Sequence, residues 1–319
     1  MAWPRISLDQ LERSSATRAV DFIRRAEARG VPMIWSVTGG RSLDAMTVFA
    51  AAAVQTSQIG LGTAIVPTYT RHPVVLAQQA IALDQLAPGR FRLGIGPSHR
   101  PTIEGAYGIP MGRPLDHLRE YLAVLRPLLW EGSVDFEGQY LRVKTQVVGT
   151  ARVPIYTSAL RPNAFRLAGE IADGAISWMC PAEYLLAQAL PALEAGAERA
   201  NRPRPRLVAH VPVVLTTDRA TMLELARPVV GGYGRQPFYA QMFATAGYPL
   251  LPDGTPSDDL LDHLVVWGNE ERVGERLAEL LERGIDELLV MLIPGAVPAE
   301  EEERLAGVLV RLHQQFGTR

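Results

Sequence analysis

Cysteine is almost absent from this chain of 319 residues, in which Cys180 is the only example. A lone cysteine excludes an internal disulfide. The position of Cys180 in an apolar run behind Trp178 and Met179 favours a small buried side chain over a reactive thiol. Lysine is equally rare, since Lys144 is the only one and the other cationic side chains are arginines. An isolated arginine is therefore weak evidence of binding in this sequence.

A surplus of charge is also missing, because 32 cationic residues face 34 acidic ones and the formal net charge is -2. No polybasic patch stands out, which argues against a nucleic-acid partner. No uncharged run approaches the roughly 20 residues of a membrane span, and the start of the chain lacks the apolar stretch of a signal peptide. We therefore expect a cytoplasmic protein that acts on a small-molecule substrate, without a membrane partner.

Several motifs with known chemistry are lacking as well. The segment GLGTAI from Gly60 begins like a dinucleotide fingerprint, but it lacks the third glycine and continues as a strand. Neither a phosphate-binding P-loop, nor HExxH, nor a GxSxG elbow is present. The six histidines show no spacing typical of metal ligands, so no metal site is predicted.

Short apolar runs alternate with amphipathic helices along the whole chain. Strands are predicted at residues 5–9, 32–37, 58–66, 90–96, 153–158, 174–178, 206–216 and 287–293. Helices are predicted at residues 14–30, 42–56, 73–86, 115–130, 162–171, 182–200, 270–283 and 299–315, with Ser42 as an N-cap. Eight continuously apolar strands that alternate with helices predict a single (β/α)₈ TIM barrel over residues 1–319; an open doubly wound sheet is the alternative.

Two segments exceed ordinary loop length, at about residues 97–114 and 226–266. Both follow predicted barrel strands, and insertions at the carboxyl ends of such strands usually build the active site. The second contains Tyr233, Phe238, Tyr239, Phe243 and Tyr248. These aromatics suggest a lid over an organic substrate, or equally an interface between two subunits.

Three stretches, taken together, resemble the bacterial luciferase-like superfamily. The first runs from Ile59 as IGLGTAIVPTYTRHP and continues through VVLAQQAIALD to PGRFRLGIG. The second is the predicted helix behind Arg113 with the following VDFEG, and the third is PIYTSALRPNAFRLAGEIADG from Pro154. The similarity keeps its order over residues 14–293. PTYTRHP, GIGPSH and AISWM are most similar to the branch that uses the deazaflavin coenzyme F-420; the flavin mononucleotide (FMN) branch is the alternative.

The resemblance implies where a cofactor lies. In relatives the ring rests at the barrel mouth on a bulge after strand three, often with a non-proline cis peptide, and the turn after strand five receives the phosphate. A helix N-terminus attracts such an anion, and Arg161 adds a forked donor. The bulge corresponds to Thr63, Ala64, Ile65 and Val66. The other predicted cofactor-binding positions are Thr38, Tyr69, Pro97, Ser98, Ser158, Ala159, Leu160, Arg161 and Trp178.

The predicted catalytic residues are His99 and Glu104. His99 stands where many deazaflavin relatives carry an acidic residue, and an imidazole suits proton transfer at neutral pH. Glu104 is the reserve proton donor, with a solvated or helix-capping carboxylate as the alternative. Thr38 and Gly39 occupy the place where relatives often have Asp-His, so sugar-phosphate specificity is not expected.

Three functions remain open on the sequence. The first is a reductase or dehydrogenase that moves a hydride between the deazaflavin and a small organic substrate. The second is an FMN-dependent monooxygenase, and the third is a cofactor-binding barrel without catalysis. Because relatives are commonly dimers, the resemblance also implies a homodimer.

Overall fold

Eight parallel strands form the centre of the computed structural model, which describes residues 3–39 and 42–318. They are β1 (Ile6–Asp9), β2 (Met33–Ser36), β3 (Gly60–Thr63), β4 (Phe91–Gly96), β5 (Ile155–Ser158), β6 (Gly174–Ser177), β7 (Arg206–Val214) and β8 (Glu287–Leu292). Each strand pairs with the next along the chain, and β8 pairs with β1, which closes the sheet. The predicted TIM barrel is confirmed, and the open sheet is excluded.

Helices follow the strands and cover the outside of the barrel. They are α1 (Ala16–Ala28), α2 (Ala45–Ala53), α3 (Pro73–Leu86), α4 (Pro114–Glu131), α5 (Pro162–Ile171), α6 (Leu190–Arg199), α7 (Glu270–Glu282) and α8 (Pro298–Phe316). Their apolar faces pack against strands that are buried on both sides, as expected for a parallel barrel. In the described residues, no helix combines the length and apolar character needed to cross a membrane.

A buried ion pair occupies the amino-terminal end of the barrel interior. Arg92 on β4 and Glu287 on β8 are fully buried, with Arg92 Nη1 2.7 Å from Glu287 Oε2. The guanidinium also lies 4.6 Å from the ring centre of Trp3 and 4.7 Å from that of Trp35. Since these side chains fill the lower part of the barrel, the open space lies at the carboxyl ends of the strands.

The start of α2 differs from the prediction of a cap at Ser42. Asp44 is the N-cap, and its carboxylate accepts a hydrogen bond of 2.9 Å from the Thr47 amide. The Ser42 hydroxyl is used within the preceding turn, where it accepts from the Gly39 amide and donates to the Val37 carbonyl. The Ser42 prediction is wrong because the preceding turn engages its oxygen.

The segment predicted as one unstructured insertion at 226–266 is mostly helical. Three helices, Arg219–Gly234, Pro237–Thr245 and Asp258–Leu264, precede a short strand, Val266–Trp267, that pairs with β7. The first helix begins before residue 226 and contains Pro228 in its interior. Proline and glycine normally mark breaks in a helical pattern, which explains why the sequence pattern did not predict this helix.

A β-hairpin outside the barrel was also missed. Its strands, Ser133–Glu137 and Arg142–Gln146, pair antiparallel with Val134 beside Thr145. Both strands alternate between exposed and half-buried residues, which is the pattern of a sheet with one covered face. The insertion at 97–114 contains one turn of π-helix at Pro101–Ala106.

Candidate active site

A cavity of about 840 Å³ opens at the carboxyl ends of the barrel strands. This size lies within the range usual for sites of organic ligands. Eleven of the predicted site residues line it: Thr38, Ala64, Ile65, Pro97, Ser98, His99, Ser158, Ala159, Leu160, Arg161 and Trp178. They come from the ends of β2 to β6, and they include most of the positions that the resemblance implied for a cofactor.

The end of β3 forms one wall of the cavity. The Ala64–Ile65 peptide bond is cis. The Ala64 amide donates to the Ser36 carbonyl at 2.8 Å, and the Ile65 carbonyl accepts from the Thr38 amide at 3.1 Å. These two hydrogen bonds tie the wall to the end of β2, so its backbone position does not depend on a ligand.

Gly96 allows β4 and β5 to approach each other beside this wall. A Cβ atom at Gly96 would lie 2.1 Å from Ser158 Oγ and 3.3 Å from Ile65 Cγ1. The chain then turns at Pro97 and Ser98, and Ser98 adopts a left-handed conformation with φ of 61°. This turn directs the next residue, His99, to the cavity.

His99 lines the cavity beneath the second insertion. Its ring stacks on Phe238 with 5.6 Å between ring centres and an interplanar angle of 11°, and the ring of Tyr239 lies 6.0 Å away. Burial lowers the pKa of His99 below its ordinary value of 6.5. The imidazole is therefore neutral at pH 7 and better suited to accept a proton than to donate one.

Arg161 lies at the end of the neighbouring strand, where β5 passes into α5. It is the N-cap residue of this ten-residue helix, and Pro162, Asn163 and Ala164 of the first turn also line the cavity. The guanidinium donates to the side chain of Gln241 on the second insertion. Within the described ranges Arg161 forms no ion pair, so an uncompensated cation lies beside the positive end of a helix dipole.

Four predicted site residues lie outside the cavity. Thr63 is fully buried. Its hydroxyl donates to the Gly94 carbonyl and accepts from the Gly94 amide, each at 2.8 Å. Val66 belongs to the core between barrel and helices. Glu104 is exposed, forms an ion pair with Arg100 and accepts a 3.0 Å hydrogen bond from the Met111 amide.

Tyr69, the fourth of these residues, lines a separate cavity of about 200 Å³ near the start of α3. Its ring stacks on His117 with 4.0 Å between ring centres. Burial raises the pKa of the Tyr69 phenol above its ordinary value. The side chain turns away from the main cavity because the chain after the Ala64–Ile65 wall pairs with β4 at Val66–Pro67 before it reaches Tyr69.

Two further residues line the cavity: Arg13, which was not predicted, and Tyr233, which was predicted only as an aromatic of a lid or of a subunit interface. Arg13 follows β1 and forms an ion pair with Asp9, the last residue of that strand. Tyr233 comes from the long helix of the second insertion. Asp9 could have indicated this part of the site from the sequence, since polar residues at the carboxyl end of a barrel strand face the catalytic mouth.

Cys180 is buried, and burial raises the pKa of its thiol to about 12. A thiol with such a pKa is not a nucleophile at neutral pH, in accord with the preference for a packing role. In the described part of the chain, no cluster of three or more histidine, cysteine or acidic side chains could hold a metal ion.

The fold and the cavity define a TIM-barrel protein with its site at the mouth used by barrel enzymes. Residues 2–287 match the sequence model of the luciferase-like monooxygenase family, and the chain belongs to that family. This match confirms the resemblance to the luciferase-like superfamily. Named relatives are oxidoreductases, and the chain is an oxidoreductase.

Two relatives and one structure illustrate the similarity. The chain is 27% identical to 5,10-methylenetetrahydromethanopterin reductase of Methanopyrus kandleri, over 91% of this chain and 93% of that protein. It is 30% identical to the F-420-dependent glucose-6-phosphate dehydrogenase of Beutenbergia cavernae, over 85% of this chain and 83% of that protein. An F-420-dependent secondary alcohol dehydrogenase with an F-420-acetone adduct superposes with a TM-score of 0.81 at 20% identity, covering 97% and 98% of the two chains.

Proposed function

We propose that this protein is a coenzyme F-420-dependent oxidoreductase that moves a hydride between the deazaflavin and a small organic substrate. The observation that carries the proposal is the pair of features at the cavity, an arginine without an ion pair in the described residues at the N-terminus of α5 and a half-buried histidine above β4. The arginine and the helix N-terminus suit the anionic tail of the cofactor, and the histidine can exchange a proton with the reacting substrate. The names of the Beutenbergia cavernae relative and of the superposed dehydrogenase support the same cofactor.

The residues present fit such a cofactor. Ala64, Ile65, Leu160 and Ile176 give the cavity flat apolar surfaces for a tricyclic ring. Arg161 and the first turn of α5 suit its phosphate. No carboxylate lines the cavity among the described residues, so nothing in that lining repels an anion. The bound deazaflavin would supply or accept the hydride.

The chain itself contributes orientation and one proton. The wall at Ala64 and Ile65 would support the ring of the deazaflavin, while the aromatic side chains of the second insertion line the cavity and restrict water. His99 exchanges a proton with the substrate through a ring nitrogen. Because the ring is neutral at pH 7, His99 takes a proton from an alcohol during oxidation and returns it during reduction.

A fluorescence titration with oxidised coenzyme F-420, run beside FMN, tests the cofactor. Micromolar or tighter binding to the deazaflavin and at least tenfold weaker binding to FMN is expected, with turnover that does not need oxygen.

Arg161→Gln should weaken deazaflavin binding by about tenfold, because it removes one charge-assisted contact with the phosphate. Arg24→Gln is the matched control, since Arg24 is an exposed arginine of α1 that pairs with Asp21 and does not line the cavity. Preference for FMN would overturn the proposal.

An FMN-dependent monooxygenase is the second candidate, and the description of the matching family as luciferase-like monooxygenases favours it. It predicts binding of FMN and consumption of oxygen with reduced flavin. A barrel that binds a cofactor without catalysis would bind either ligand and show no turnover.

A further inference from the structure

The side of the mouth formed by β1, β6 and β7 contains buried polar atoms that the proposed function does not use. Asp9 is 0% exposed and His210 is 1% exposed. Within the described residues, four buried polar atoms of this region lack a hydrogen-bond partner: Asp9 Oδ1, Gln10 Oε1, His210 Nδ1 and His210 Nε2. Buried polar atoms are nearly always paired, so such a concentration sets this side of the barrel apart from the apolar core.

Three side chains of this region line the cavity, namely Arg13, Trp178 and Tyr233. Trp178 stacks on His210 with 3.6 Å between ring centres and an interplanar angle of 18°. Arg13 lies close enough for its charge to act on both His210 and Tyr233, and the side chain of Tyr233 is hydrogen-bonded to that of Trp178. The three donors are therefore neighbours at one side of the mouth.

Arg13 is held so that one nitrogen remains available. Its Nη2 bonds the Asp9 carboxylate, and its Nε donates to the Gln10 carbonyl at 3.0 Å. In the part of the chain that the structure describes, no hydrogen bond engages Nη1. A guanidinium fixed by two bonds offers its remaining donor in a defined direction at little entropic cost.

The charge of the region identifies the kind of ligand group. The Asp9 carboxylate offsets the charge of Arg13, and the indole of Trp178 is an uncharged donor. Burial raises the pKa of Tyr233, so its phenol stays protonated and uncharged at neutral pH. Donors without net charge suit an uncharged acceptor oxygen, whereas a carboxylate would face the buried Asp9 without a free cation to compensate it.

We propose that Arg13, Trp178 and Tyr233 form a subsite that binds the carbonyl oxygen of an uncharged substrate. In the closed sheet β1 and β5 lie four strands apart, so Arg13 and Arg161 stand on opposite sides of the mouth. The inference rests on the proposed function in that Arg161 receives the cofactor tail and leaves the Arg13 side for the substrate.

The test compares three ligands of similar shape on the protein saturated with oxidised coenzyme F-420, and again on the protein alone. They are the ketone benzylideneacetone, the hydrocarbon 1-phenyl-1-butene and the acid cinnamate, with affinities measured by ligand-observed NMR titration. The ketone should bind at least about tenfold more tightly than the hydrocarbon, because one hydrogen bond to a charged donor contributes that much. It should also bind more tightly than cinnamate.

Variants assign the preference to the subsite. Because Arg13→Gln alone leaves a buried carboxylate without its partner, the first variant is the double substitution Asp9→Asn and Arg13→Gln. The second is Tyr233→Phe, which removes only a hydroxyl. Each should lower the ketone-to-hydrocarbon affinity ratio severalfold. Arg161→Gln is the control, because it should weaken deazaflavin binding and leave this ratio unchanged at saturating cofactor.

The outcomes separate the two proposals. Equal affinity for ketone and hydrocarbon, or tightest binding of cinnamate, overturns the carbonyl subsite even if the deazaflavin binds. A ratio unchanged in both variants overturns it as well. Failure to bind the deazaflavin, together with a ketone preference that both variants lower, rejects the proposed function and supports the subsite.

Discussion

Burial sets the protonation state of His99, the residue proposed to transfer a proton. His99 has aromatic neighbours on the second insertion and no described carboxylate in the cavity lining, and burial lowers its pKa. Its position was predicted from the end of a barrel strand. Its neutral state at pH 7 was not, because that state depends on side chains more than 130 residues away in the chain.

The pH profile of the reaction should therefore follow His99. The protonated ring donates during reduction, so the rate of a proton-limited reduction should fall as pH rises through a pKa below 6.5. Steady-state rates measured between about pH 5 and pH 8 check this. His99→Asn should remove the inflection and leave deazaflavin affinity nearly unchanged.

Glu104→Gln is the matched control for this profile. Glu104 is exposed and bonded to Arg100 and the Met111 amide, so its removal should not move the inflection. An inflection that persists in His99→Asn but disappears in Glu104→Gln would exchange the roles of the two residues.

A glycine at the end of β4 should prove necessary for the shape of the mouth. In Gly96→Ala the new Cβ atom would lie 2.1 Å from Ser158 Oγ, which forces β4, β5 or the Ile65 wall to move. We expect a loss of about 1–3 kcal/mol in the free energy of unfolding, with weaker deazaflavin binding. Gly105→Ala is the control because no atom lies within 4 Å of its added Cβ. Equal stability of the two variants would contradict the close approach.

At the scale of strands and helices, a charged pair joins opposite parts of the barrel wall. Arg92 on β4 and Glu287 on β8 are both 0% exposed, and the guanidinium bonds both carboxylate oxygens. In the low-dielectric interior each charge depends on the other. Neither residue stands out in the sequence, since each lies in an apolar run that predicts only a strand.

Glu287→Gln should destabilise the barrel strongly. It leaves the Arg92 charge buried without its principal partner, at a cost of about 3–5 kcal/mol. The denaturant midpoint checks this value. Glu275→Gln removes an exposed carboxylate that pairs with Arg272 on α7, and it should change the midpoint little. Equal shifts of the denaturant midpoint in the two variants would show that the buried pair stabilises the barrel no more than an exposed pair does.

At the scale of the whole molecule, one surface is poor in charge, because the half-buried Asp84 is the one ionisable side chain on α2 and α3. The exposed side chains of α2 and α3 are all uncharged, and Val54, Val75 and Leu86 are 64%, 45% and 43% exposed. An uncharged face is self-complementary about a twofold axis, because no like charges meet when it contacts its own copy. We propose that the protein forms a homodimer through this face.

The double substitution Val54→Arg and Val75→Arg should convert the protein to a monomer, since it places four unpaired charges in the interface. Sedimentation or light scattering at several concentrations checks the mass. Val297→Arg, at a 49% exposed position before α8, is the control and should leave the mass unchanged. A wild-type monomer would reject the dimer, and a dimer in the double variant would reject this face.

Local pattern determined most of the architecture. Continuous apolar runs and helical periodicity were sufficient for all eight barrel strands and the helices between them, because burial on both faces leaves that pattern in the sequence. The same order of strands placed His99, Arg161 and Trp178 at one mouth. The alternating hairpin strands and the proline-containing helix of the second insertion were missed, because their local signals were weak or misleading.

Only the tertiary structure decided which polar groups share an environment. It brought Arg13 from β1 and Tyr233 from the second insertion beside Trp178, and it kept Thr63, Val66, Tyr69 and Glu104 away from the cavity. The sequence by itself determined that a barrel forms and which end carries the site, because those depend on periodicity and order. Proximity, burial and protonation depend on contacts between distant segments, and these exist only once the barrel has closed.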